Sequence, residues 1–140
     1  MTYNKLLIKG QKIDKKELLA VITEIGLDNG LDVLASFRDG TARYINQSGK
    51  MIIWESPNNT SNTLTDKLFD NSYTAVSKIG PWDKPRRPNP EKGIIRITFL
   101  VSNGLSFGEG PINVLFNDPV AGPALSSAAE LMKYLMERAS

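Results

Sequence analysis

The chain has 140 residues, 41% of them hydrophobic and 23% charged, with 17 basic and 15 acidic side chains, no histidine and no cysteine. That length and apolar content suit one globular domain, residues 1–140, with a packed core. Histidine is the usual proton shuttle and commonest metal ligand, and cysteine the usual thiolate nucleophile, so serine-histidine triads, cysteine proteases and zinc or iron–sulfur centres are excluded.

Without cysteine no disulfide forms, which suits a reducing compartment. Near the start, Leu6-Leu7-Ile8 is an apolar run of three; a secretory signal needs about 7–15 such residues. No run approaches the roughly 20 needed to cross a bilayer. The expectation is a cytoplasmic protein with no membrane contact, no metal and no cofactor. The net charge of +2 is too small to argue for nucleic acid. It is unevenly placed. Residues 80–93 carry Lys84, Arg86, Arg87 and Lys92 against Asp83 and Glu91, and the remaining charges balance.

In chain order, Leu6–Ile8 reads as a short edge strand. Asp14 and Glu17 have the spacing of a capping box, and Leu18, Leu19, Ile22 and Ile25 share one helical face. Gly26 is a suitable stop, so the spacing predicts a helix over Lys15–Ile25. A meander follows. Leu31–Arg38 is β-tolerant, and Asp39-Gly40 is a strong hairpin signal that calls for positive φ at both positions. Thr41–Asn46 returns with Ala42 and Tyr44 on one face and Arg43 and Ile45 on the other. Gln47-Ser48-Gly49 turns again into Lys50–Glu55.

Asn62 or Thr63 is placed to cap a middle helix whose stripe is Leu64, Leu68, Ala75, Val76 and Ile79, ending at Gly80-Pro81. Pro85, Pro88 and Pro90 keep the next stretch out of a sheet interior. Ile95, Ile97, Phe99 and Val101 then alternate with polar or outward positions, and Ser102-Asn103-Gly104 turns into a return strand. Ile112–Phe116 is a possible short helix, and Leu125, Ala128, Ala129, Met132, Leu135 and Met136 form the stripe of a last one. The fold class expected is α+β, an antiparallel sheet of about five strands in two meanders, with N-terminal, middle and C-terminal helices packed on it.

This element order resembles the roadblock, longin and profilin-like α-β-α sandwiches. Separately, Asp39-Gly40-Thr41-Ala42-Arg43-Tyr44-Ile45-Asn46 with Ser48-Gly49-Lys50 is similar to a family of uncharacterised bacterial proteins. The first resemblance implies a dimeric scaffold or a regulator of small GTPases. The second implies no activity.

The sharpest candidate site is the loop Trp82-Asp83-Lys84-Pro85-Arg86-Arg87-Pro88. Guanidinium groups clamp phosphate or carboxylate, Trp82 offers a stacking surface, and Pro85 with Pro88 makes a PxxP segment. Trp82, Lys84, Arg86 and Arg87, with Arg43, are therefore the candidate ligand-binding residues. The glycines 104, 108 and 110 match neither a dinucleotide fingerprint nor a P-loop. Asp32, Asp39, Glu55, Asp66, Asp70, Glu109 and Asp118 are the acids available for general acid–base work, and no catalytic residue is assigned. The leading expectation is a non-catalytic binding or scaffold domain acting through protein–protein contact, with self-association into a homodimer included. The alternative is a small-molecule or phosphate binder using Trp82–Arg87, and the third reading is a carboxylate-based hydrolase.

Overall fold

Ten residues that sequence spacing assigns largely to a helix form one of the two central strands of the sheet. The computed structural model describes residues 18–79, 89–102 and 104–139. In it, β1 (Leu18–Leu27), β2 (Gly30–Phe37), β3 (Ala42–Ile45) and β4 (Met51–Trp54) run consecutively. They are followed by α1 (Asn59–Val76), β5 (Ile94–Val101), β6 (Gly104–Pro111), α2 (Ile112–Phe116) and α3 (Gly122–Ala139). The six strands lie in the order β4-β3-β2-β1-β5-β6, every neighbouring pair antiparallel. The α+β class and the antiparallel sheet are as expected, with one strand more than anticipated. The edge strand at Leu6–Ile8 and the capping pair Asp14 and Glu17 lie outside the described residues.

The extra strand is β1, and the reason it reads as a helix is physical. A half-buried strand alternates, but β1 is buried on both faces. Its register with β5 also slips between Leu18 and Ala20, so Leu19 is an extra residue in a bulge. Leu18 and Val21 consequently both join the helix-side core, while Ala20 and Glu24 are buried on the other face. Buried positions at 18, 20, 21, 23, 24 and 26 imitate a helical period.

Gly26 likewise does not end a helix. A Cβ there would overlap the backbone carbonyl of Glu91 and lie 2.8 Å from the carbonyl oxygen of Pro90. The chain entering β5 thus crosses directly over β1, and Gly93 N–H donates to Gly26 O at 2.9 Å. Lys92 adds an exposed ion pair to Asp28 at 2.7 Å.

The hairpins β2–β3 and β3–β4 share one design. Phe37 N–H donates to Thr41 O and Gly40 N–H to Phe37 O; Asn46 N–H donates to Lys50 O and Gly49 N–H to Asn46 O. Each is a three-residue loop closed by a left-handed glycine, Gly40 at φ 93° and Gly49 at φ 88°. Asp39 therefore does not adopt the positive φ that a two-residue turn requires. Its carboxylate accepts from Thr41 N–H and hydroxyl at 2.9 and 2.6 Å. Those bonds, the hydroxyl's foremost, hold Asp39 below the usual carboxylate range.

One face of the sheet carries the core. Val21, Leu34, Ala42, Tyr44, Ile95, Ile97 and Phe99 pack with Leu68 and Ala75 of α1 and Leu125, Leu131 and Leu135 of α3. The cap of α1 is Asn58, not Asn62 or Thr63. Ser61 N–H donates to Asn58 Oδ1 at 2.8 Å and Asn58 N–H to Ser61 Oγ at 2.9 Å, a capping box in which serine takes the usual place of glutamate. The two long helices run antiparallel. Asn58 Nδ2 donates to Tyr134 Oη at 3.1 Å, Lys67 meets Glu130 at 2.8 Å, and Asn71 Nδ2 donates to Ser127 Oγ at 2.8 Å. On α3, Met132 is buried, whereas Ala129 and Met136 of the expected stripe are exposed.

Gly26→Ala is expected to destabilise the fold by about 2 kcal/mol or more, because the clash is with backbone that cannot rotate away. A urea melt reads this directly; an unchanged midpoint would show that the strand crossing does not need the glycine.

Candidate functional site

The sheet has two unlike faces, set by strand register. The residues that point away from α1 and α3 include Phe37, Ala35, Val33 and Leu31 on β2, Arg43 and Ile45 on β3, and Met51 and Ile53 on β4. Met51 and Ile53 are half exposed, at 51% and 50%, and Phe37 and Leu100 are exposed on the same face. Arg43 is exposed too, with Ala35 and Ile53 as its direct cross-strand partners. Among the described residues, Arg43 is thus the one cation standing amid apolar side chains on this half of the face.

The other half is charged at its centre. Glu24 on β1 stands opposite Arg96 on β5, and Arg96 opposite Glu109 on β6. Arg96 Nε donates to Glu24 Oε1 at 3.1 Å with both side chains almost fully buried. The guanidinium also lies 6.0 Å from the Phe107 ring centroid, a cation–π contact. Sequence reasoning passed over both residues. Arg96, alternating with Ile95 and Ile97, has the pattern of a solvent-facing position, and Glu24 sits in the segment assigned to a helix.

The outer edge of β4 is the other notable element. In an antiparallel ladder, bonded and non-bonded pairs alternate. The bond from Asn46 to Lys50 makes that pair a bonded one, so Tyr44–Ile52 and Ala42–Trp54 are bonded as well. On the β2 side, the Phe37–Thr41 bond makes Ala35–Arg43 and Val33–Ile45 the bonded pairs. The two assignments agree. Ile52 and Trp54 are engaged with β3, and the backbone groups of Met51 and Ile53 point outward. Among the described residues no strand pairs with this edge.

Trp82, Lys84, Arg86 and Arg87 lie outside the described residues, and Arg43 alone of that set is placed. Tyr44 and Trp54 occupy the helix side, opposite Arg43. Trp54 meets Tyr134 edge-to-face at 5.9 Å between centroids, and Tyr44 is buried. Several acids have structural partners. Asp32 accepts from Tyr44 Oη and Gln47 N–H, both at 2.9 Å, and Asp118 accepts from the backbone N–H groups of Val120 and Ala121. Among the described residues no group of three acids is placed to hold a metal ion, and no helix is long and apolar enough to cross a membrane. Searches of protein-family models, curated proteins and solved structures find no match to this chain.

Burial, with the Asp32 carboxylate beside it, pushes the Tyr44 hydroxyl up to about 12 from its ordinary value of 10.0. The folded state thus keeps this proton at a pH where the unfolded chain loses it. The stabilisation is complete below pH 10 and is lost as pH rises toward 12, by up to about 1.4 kcal/mol per pH unit. Urea melts across that range are expected to show a smaller loss for Tyr44→Phe than for the parent. Parallel slopes would contradict the assignment.

Proposed function

We propose that this chain is a non-catalytic binding domain that works by contact with another polypeptide, through β4 and the apolar half of the sheet face that α1 and α3 do not cover. The observation that carries the reading is the outward-pointing backbone of Met51 and Ile53, flanked by their own half-exposed side chains. An unpaired strand edge offers main-chain hydrogen bonds to any extended segment laid beside it, and side chains on alternate positions select among such segments. Natural edges are commonly blunted by charge, proline or a bulge; β4 has none of these between Met51 and Trp54, and Pro57 comes only after the strand. The apolar neighbours Phe37, Val33 and Ile45 widen the contact surface beyond the strand itself. Arg43, set among them, adds a fixed charge that orients a partner.

Photo-crosslinking in the producing cell tests this reading. A photoreactive residue replacing Ile53 or Phe37 is expected to yield polypeptide adducts, and one replacing Lys133 on the exposed side of α3 to yield none. Absence of adducts at both sheet positions would refute the proposal.

A further inference from the structure

We infer that the polypeptide bound on this flank carries a carboxylate that pairs with Arg43, with apolar side chains two positions to either side of it. The inference rests on the proposed use of this surface for polypeptide contact, and it names the chemistry of the partner.

Arg43 stands inside the exposed apolar area and not at its rim. Its direct cross-strand partners are Ile53 on β4 and Ala35 on β2. One diagonal step away on the same face lie Met51, which faces Ile45, and Phe37, which follows Ala35 by two residues. Met51, Ile53 and Phe37 are all exposed, and so is Arg43. A partner that covers Met51 and Ile53 together with Phe37 therefore covers Arg43 as well.

That covering sets a condition on the partner. A guanidinium stays charged throughout the physiological range and has five N–H donors and no acceptor. Taken out of water without a counter-charge, it costs free energy that the apolar contacts around it must first offset. Among the described residues Arg43 takes part in no ion pair, and the exposed Glu55, two residues beyond Ile53, makes none with it. The counter-charge comes from the partner. A carboxylate suits the position because its two oxygens meet the guanidinium fork as a bidentate pair.

The remainder of the partner follows from the surface. In an extended segment, residues two apart point to the same side, roughly 6.7 Å from one another. The positions two before and two after the acid thus come down on the apolar side chains around Arg43. A nucleic acid phosphate would satisfy the guanidinium too, but it would leave Met51, Ile53 and Phe37 without apolar contact. The surface therefore favours a polypeptide with an acid between apolar residues.

The test compares the yield of photo-adducts from a photoreactive residue at position 53 between the parent and Arg43 variants in the producing cell. Arg43→Met and Arg43→Glu are each expected to lower the yield at least about tenfold. Their urea midpoints are expected to match the parent's, because the side chain is exposed. Arg43→Lys is expected to retain more adduct than either, and Glu55→Gln to leave the yield unchanged or raise it. Mass spectrometry of the adduct identifies the partner peptide. Changing its acid to lysine is expected to restore adducts to Arg43→Glu.

Full yield with Arg43→Met or Arg43→Glu, a loss with Glu55→Gln, or a phosphorylated residue in place of the acid would overturn the inference and leave the binding reading intact. A parent that forms no polypeptide adduct at position 53 or position 37, or only adducts with nucleic acid, removes both.

Discussion

An ion pair with almost no access to water, Glu24 with Arg96, joins two neighbouring interior strands of the sheet, β1 and β5. Taking two charges out of water costs several kcal/mol per ion, and the cost is offset only when the partners are held in good geometry. Here the geometry comes from register. β1 and β5 set the two residues directly opposite, on the face that α1 and α3 do not cover. A slip of one residue in either strand would turn its charge into the helix-side core, among Leu34, Phe99 and Leu125. The pair thus fixes which face of the sheet accepts helices and keeps the central strands from sliding. The close passage of Pro90 and Glu91 over Gly26 pins the far end of β1 in the same sense.

The remaining architecture follows from that division. With α1 and α3 on one side of the sheet, the long apolar side chains of β5 and the small residues of α3 fill one core. The opposite face grades from a buried charged centre on β1 and β5 to an apolar flank on β2, β3 and β4. That flank ends on a strand of four residues whose outer backbone has no neighbour among the described residues. Both the buried pair and the half-exposed side chains of Met51 and Ile53 thus lie on the face that α1 and α3 do not cover.

Much of this was legible in the sequence where one face of an element is buried and the other is not. β2, β3, β4 and β5 alternate, their turns carry glycine, and α1 and α3 keep apolar stripes; each was placed within a few residues. β1 was not, because burial on both faces and the bulge at Leu19 erase the two-residue period, and a capping pair and a glycine happen to flank the segment. The cap of α1 was missed because serine at the third helical position carries less signal than glutamate. The candidate site was legible only in kind. An unblocked edge is a general invitation to pairing, but strand order decides which strand lies at the edge, and order is a property of tertiary packing. Arg96 is a sharper case. Its alternation with Ile95 and Ile97 is correct, and the inference of solvent on its side fails because Glu24 of the neighbouring strand meets it there.

Backbone hydrogen exchange at Met51, Ile52, Ile53 and Trp54 addresses most directly the claim that register leaves the amides of Met51 and Ile53 outside the β3–β4 ladder. The account predicts faster exchange at Met51 and Ile53 than at Ile52 and Trp54 in dilute protein, because the latter two are bonded to β3. Equal protection of all four amides would contradict it.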